Sequence, residues 1–226
     1  DNTIDSLIIN LSKNNIKCLL IMVDKEGDLA HPDEKVRDSA VERHKKWVDA
    51  AHRLGCHSIR VNTNGTLVED LWLEAAEDGL RKLATYAATK NINVIVENHG
   101  GFSSQPEKLM QVINALNMPN SGTLPDFGNW CIKWDKKSKT CKLKYDDYYK
   151  GIKLMMPAAK AVSAKSNDFD ENGNEIRIDY VKMLQIVKNA GYNGYIGIEY
   201  EGQRLSELEG VIATRDLLIN AAKELK

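Results

Sequence analysis

The sequence predicts an α/β protein of the TIM (β/α)8-barrel type. Three observations point there. First, six short apolar runs are each followed by an amphipathic stretch, and strands alternating with helices imply parallel pairing through right-handed crossovers. Second, the runs are rich in β-branched residues, as a sheet buried on both faces requires. Third, several runs end on a carboxylate, and barrels carry their chemistry at the C-terminal ends of their strands. A doubly wound sheet would share the first two features. No G-x-G-x-x-G follows the first strand, however, so its dinucleotide-binding version has no support.

The elements follow in order. DNTIDSLIINLSKNN reads as a helix ahead of the first strand, IKCLLIMVD (16–24). In the next stretch Val36, Ala40, Val41, Trp47, Val48 and Ala51 recur near helical spacing, and Gly55 marks a stop. HSIRVN (57–62) is a strand and 66–90 a helix; INVIVEN (92–98) is a strand, and Pro106 opens a helix to Leu116. GTLPD (122–126) is a strand leading into a lysine-rich loop and a helix near 145–156. AKAVSAK (159–165) and YIGIEYE (195–201) are the last strands, each followed by a helix. Six units do not close an eight-stranded barrel. The expectation is a single domain over 1–226, truncated at its N-terminus and covering about units 3 to 8, with strand 1, helix 1 and strand 2 missing. Such a barrel exposes strand edges; upstream residues would cover them, or a second copy in a homo-oligomer.

Net charge is −1, from 31 basic and 32 acidic residues. That balance lacks the basic footprint of a nucleic-acid binder, so no nucleic-acid partner is expected. No apolar run approaches the roughly 18–20 residues of a membrane span, so no membrane partner is expected either. No leader is visible, but the chain starts at Asp1; the compartment is cytoplasmic, or exported or periplasmic if a leader was removed. Of the four cysteines, Cys18 and Cys56 lie in or beside strand-like runs and read as small buried apolar residues. Cys131 and Cys141 bracket the lysine-rich loop, and would pair there in an exported protein.

VIVENHGG places Glu97 at the end of an apolar strand, followed by Asn98, His99 and a glycine pair. LPDFGNW does the same for Asp126, and YIGIEYEG for Glu199 and Glu201. One acid at a strand end can cap a helix or pair with Arg60 or Lys165. Three on parallel strands would meet at one rim, where they repel unless a proton, a basic side chain or a cation sits among them. An oxygen-rich site suits Mg²⁺ or Mn²⁺. Alternation along a strand also puts Arg60 with Asn62, and Ser163 with Lys165, on common faces.

VIVENHGG, LPDFGNW, VSAKSNDFD and GYNGYIGIEYEG together resemble the successive strand-end motifs of the xylose-isomerase-like TIM-barrel superfamily, and within it the sugar phosphate isomerase/epimerase branch. The resemblance implies a divalent ion (Mn²⁺, Mg²⁺, Co²⁺ or Zn²⁺) held by Glu97, Asp126 and Glu199, with Ser163 standing where the family carries a histidine ligand. It implies proton transfer next to a carbonyl of a small sugar or keto-sugar, through an enediolate, with Glu97 and Glu199 as the acid/base pair. His99, Lys165, Asn62 and Arg60 become candidates for substrate hydroxyls or phosphate. Each has a plainer reading: His99 could serve its glycine turn, and Arg60 could neutralise carboxylates. Because a serine hydroxyl is a poor ligand beside imidazole, three outcomes stay open. The ion persists on carboxylates and water, His99 replaces the missing ligand, or Lys165 neutralises the acids instead. The last would make the chain a non-catalytic or metal-free carbohydrate-binding barrel. An endonuclease IV-like repair enzyme shares the fold, but needs a histidine cluster that five scattered histidines do not supply.

DFDENGNEIRID (168–179) matches the start of a calcium-binding EF-hand loop, yet follows a strand where such loops follow a helix. A polar turn entering a helix at Asp179 explains the same residues.

Overall fold

The computed structural model describes residues 2–226, in two compact units. The first holds residues up to Glu97 and 111–122; the second holds 98–110 and 123–226.

The first unit opens with α1 (Asn2–Lys13) and continues with β1 (Leu20–Met22), α2 (Glu34–Arg53), β2 (Ser58–Val61), α3 (Glu69–Ala88) and β3 (Asn93–Glu97). The strands are parallel, with Leu20 opposite Ser58 and Arg60 opposite Ile95. The chain leaves this unit after Glu97 and re-enters it within α4 (Pro106–Leu116). It leaves again within β4 (Ser121–Leu124), whose entry is held beside β3 by the Val94 amide donating to the Asn120 carbonyl at 2.8 Å. Asp33 caps α2 by accepting from the Lys35 and Val36 amides. Ile59, Val61, Leu80, Leu83, Ala84 and Ile95 are fully buried between sheet and helices. Outside them α2 and α3 are tied by Arg37–Asp78 at 2.6 Å and Lys82–Asp38 at 2.7 Å.

In the second unit the continuation of β4 pairs in parallel with the next strand through Thr123–Ala159 and Asp126–Ser163 bridges. That strand, β7 (Val162–Ser166), runs parallel to β8 (Ile196–Tyr200), with Ser163 opposite Gly197 and Lys165 opposite Glu199. The helices are α5 (Tyr148–Met155), α6 (Tyr180–Asn189) and α7 (Glu207–Lys223). Their first turns are closed by Asp147, Asp179 and a Ser206/Glu209 capping box. Phe127, Trp130, Ile152, Val162, Ala164 and Met183 form the core, and Trp130 stacks on Tyr148 at 5.5 Å between centroids. No helix among the described residues is long and apolar enough to cross a membrane.

The structure departs from the sequence reading in one region. The lysine-rich segment is an antiparallel hairpin, β5 (Cys131–Asp135) and β6 (Thr140–Lys144), with Cys131 and Cys141 bonded to each other. Asp135 makes its turn by accepting from the Lys137 and Ser138 amides, and Lys139 takes a left-handed φ of 52°. The 168–179 segment is a polar turn: Asp170 Oδ1 accepts from the Asn172 and Asn174 amides, Gly173 takes φ 83°, and Asp179 then caps α6.

Gly79 shows how tightly the first unit is packed. A β-carbon there would lie 2.0 Å from the Leu29 carbonyl oxygen, which is backbone and cannot step aside. Alanine in a helix interior is usually worth about 1 kcal/mol over glycine. Here Gly79→Ala is expected to reverse that sign and cost about 1–3 kcal/mol through overpacking, read from urea unfolding against wild type.

Candidate functional site

In the first unit Glu97 closes β3 and is 1% exposed. A carboxylate that deep needs a counter-charge. Arg60, from the adjacent strand and 3% exposed, supplies one: its Nε lies 2.9 Å from Glu97 Oε2. The other side of the guanidinium reaches outward, with Nη1 2.5 Å from Asp24 Oδ1. Asn62 Nδ2 donates to the same Asp24 oxygen at 3.0 Å, while its own Oδ1 is buried without a hydrogen bond among the described residues. Arg60 thus holds two carboxylates, the plainer role weighed for it, and Asn62 keeps an acceptor in hand. Asp24 was not among the expected site residues. Its signal was present, since IMVD ends an apolar run as VIVE does.

In the second unit Asp126 follows β4 and is fully buried. Its main chain is clamped by Asn98, whose Oδ1 accepts from the Asp126 amide at 2.8 Å and whose Nδ2 donates to the Asp126 carbonyl at 2.9 Å. Its Oδ1 accepts from the Gly128 and Asn129 amides at 2.9 and 2.8 Å, folding the chain into a tight turn. Gly128 belongs there because a β-carbon would sit 2.9 Å from Lys165 Cδ. The space it leaves is filled by the lysine stem.

Lys165 is 2% exposed and runs along the same face of β7 as Ser163. Its Nζ lies 3.0 Å from Glu199 Oε1 and 2.9 Å from Glu201 Oε1, both carried by the β8 end. Ser163 Oγ donates to Glu199 Oε2 at 3.3 Å, a long bond. Tyr180 donates its hydroxyl to the Lys165 carbonyl at 2.9 Å, and burial raises its pKa, so it stays a donor. His99 is exposed; its amide donates to Ser103 Oγ, and Gly100 and Gly101 follow with φ of 92° and 61°. The second unit therefore brings together Asp126, Ser163, Lys165 and Glu199, and adds Glu201 and Asn98. Arg60, Asn62 and Glu97 belong to the first unit.

The donors gathered around Glu199 and Asp126 are oxygens, which suit a hard divalent ion. Lys165 meets Oε1 of Glu199, while Oε2 accepts the long bond from the Ser163 hydroxyl.

Burial alone would lower the Lys165 pKa, but the charges of Asp126, Glu201 and Glu199 outweigh it and hold the ammonium above the ordinary lysine value of 10.5. A cation raised in this way stabilises the fold fully below its ordinary pKa, and loses that contribution as pH climbs through the raised one. Lys165→Met is therefore expected to lower stability at neutral pH by about 1–3 kcal/mol. That is less than the roughly 3–5 kcal/mol of a fully buried pair, because the Glu199 and Glu201 side chains are 35% and 54% exposed. In urea titrations across pH, the gap to wild type should narrow above 10.5.

The model of the xylose isomerase-like TIM barrel family matches residues 1–221. A curated relative, the C-glycoside deglycosidase alpha subunit of Arthrobacter globiformis, is 39% identical over 54 residues; the match spans 24% of this chain and only 15% of that protein. Among solved structures, an L-ribulose 3-epimerase superposes with a TM-score of 0.77 at 13% identity, covering 98% of this chain and 81% of its own. The 3-keto-D-glucoside 4-epimerase of E. coli gives 0.72 at 14% identity, covering 98% and 85%. A xylose isomerase-like TIM barrel protein from Mycobacterium smegmatis, in complex with magnesium, gives 0.70 at 16% identity, covering 100% and 80%. At these identities the structures speak for the fold alone, and with the family match they place the chain: it belongs to the xylose isomerase-like TIM barrel family.

Proposed function

We propose that the protein is an isomerase or epimerase of a small sugar or keto-sugar, working by proton transfer at the carbon next to a carbonyl. The observation that carries this reading is the position of Glu97 and Glu199 at the C-terminal ends of β3 and β8, each against a buried cation of its own unit, Arg60 and Lys165. Strand C-termini are where this fold keeps its catalytic groups. Relatives and neighbours named as a deglycosidase subunit and as sugar epimerases support the substrate class.

In this mechanism one glutamate removes the proton, leaving an enediolate, and the other returns a proton to the opposite face of that carbon or to the neighbouring one. Arg60 and Lys165 fix the two carboxylates, so that little reorientation is needed at the moment of transfer. Asn62, His99, Lys165 and Arg60 are our candidates for binding hydroxyl or phosphate groups of the substrate. Glu97, Asp126 and Glu199 would hold a divalent ion, with Ser163 as a poor additional donor. Such an ion, when bound, polarises the carbonyl and hydroxyl oxygens of the substrate.

A second reading rests on one contact. Lys165 already sits between Glu199 and Glu201, and an ammonium there could replace the ion, giving a metal-free carbohydrate-binding barrel.

The readings separate in deuterated water. With the right ketose or aldose, solvent deuterium should enter beside the carbonyl, and Glu97→Gln and Glu199→Gln should each slow the exchange about a hundred- to ten-thousand-fold. No incorporation across a substrate panel, together with no ion in the purified protein by elemental analysis, would overturn the enzyme reading. Ser163→His adds an imidazole ligand and is expected to tighten Mn²⁺ or Zn²⁺ binding roughly tenfold or more, measured by calorimetry. Tight binding that appears only in that variant would favour the metal-free reading.

A further inference from the structure

A pair of cysteines lies at the other end of the first unit's strands from Glu97, and nothing in the proposed chemistry uses it. Cys18 precedes β1 and Cys56 precedes β2. The parallel register sets Leu20 opposite Ser58, and the His57 amide donates to the Leu19 carbonyl at 2.9 Å. Carried back along both chains, the same register sets Cys18 opposite Cys56. Neighbouring parallel strands in register turn opposed side chains to the same face, and the two sulfurs lie 3.3 Å apart. Both are free thiols.

Their surroundings differ. Cys56 is 6% exposed, whereas Cys18 is half-buried and forms part of the wall of a groove of about 500 Å³. Ile8 and Leu11 give that groove an apolar side; Lys17 and Arg53 give it a cationic one, with Arg53 sharing its charge with Asp5. Two small apolar residues packed in a core would both be closed off from solvent. Here Cys18 borders the groove and Cys56 is buried beside it.

We propose that Cys18 and Cys56 are a redox modification site: a small carboxylate-bearing disulfide reacts at Cys18 through the groove, and Cys56 then displaces it to leave a Cys18–Cys56 bond. In the first step the Cys18 thiolate attacks one sulfur of the small disulfide, whose S–S bond breaks. One thiolate leaves and takes up the proton that Cys18 gave to solvent. In the second, Cys56 loses its proton and attacks Cys18 Sγ, breaking the mixed disulfide and releasing the second thiol. The protein gives up two electrons and two protons, and the small disulfide leaves as two thiols. Burial and the neighbouring Cys18 push the Cys56 pKa up to about 12, so the second step is the slow one. The first, at the half-buried sulfur, sets which compounds can react.

Incubation of the reduced-thiol protein with oxidised glutathione, followed by acid quench, denaturing alkylation and peptide mass mapping, tests this. The Cys131–Cys141 bond, present at the start, is the internal reference. Wild type should lose its Cys18 thiol first, to a transient mixed disulfide, and at the end point have neither of its two thiols alkylatable, with a cross-link joining the Cys18 and Cys56 peptides. Cys56→Ser should stop with glutathione on Cys18, and Cys18→Ser should keep its Cys56 thiol alkylatable. Glutathione remaining on Cys18 of wild type at the end point, with the Cys56 thiol still alkylatable, would overturn the proposal. So would two unmodified thiols under conditions that modify the urea-unfolded chain, or modification of Cys56 in Cys18→Ser at the wild-type rate. The wild-type map decides the question even if a serine variant does not fold.

Discussion

The second unit is organised around one buried ammonium. Lys165 leaves β7 into a space where an acid-rich strand end, a tight turn and a tyrosine all meet it. An uncompensated charge at that depth would be ruinous. Its surroundings can be understood as compensation: Glu199 in β8 and Glu201 just past its end both turn toward it, and Asp126 adds its field from the turn after β4. Gly128 has no side chain because the lysine stem needs the room. Tyr180 ties down the carbonyl of the lysine itself.

The first unit meets the same difficulty with a different residue. Glu97 ends an apolar strand, and the cation beside it is Arg60. A guanidinium presents a fork and cannot be deprotonated, so Arg60 can reach from the buried Glu97 to the half-exposed Asp24. An ammonium is a point charge, and Lys165 gathers its carboxylates around one atom. Both arrangements keep a carboxylate at a strand end without burying net charge. In the proposed proton transfer, they would fix the two carboxylates by ion pairs instead of by flexible side-chain torsions.

Most of the framework could be read from the sequence. Apolar runs such as VIVEN and YIGIEYE carry their own identity as strands, because burial on both faces leaves only apolar residues until the polar end. The hairpin of β5 and β6 was missed for the complementary reason. Its large apolar residues, Trp134 and Leu143, are 58% and 53% exposed, and lysines surround them. With the hairpin only partly covered and none of its residues buried, no alternation marks it as a sheet. Glu97, Asp126 and Glu199 were legible because a carboxylate closing an apolar run is conspicuous. Asp24 carries the same mark and was passed over. Asn98 could not have been found this way. It acts through bonds to the main chain of Asp126, 28 residues later, and such contacts have no sequence period.

The turn at Asp126 divides the labour of a single carboxylate. Oδ1 is committed to two amide donors, and Asn98 grips the adjoining main chain. One oxygen of this residue therefore belongs to the scaffold, and in the proposed function any role in chemistry would fall to the other. Removing the whole side chain would take the turn's acceptor and the charge away together, so an inactive alanine variant would say nothing about charge. An amide isostere keeps the scaffold acceptor and removes only the negative charge. At this position, the gentler exchange carries more information than the harsher one.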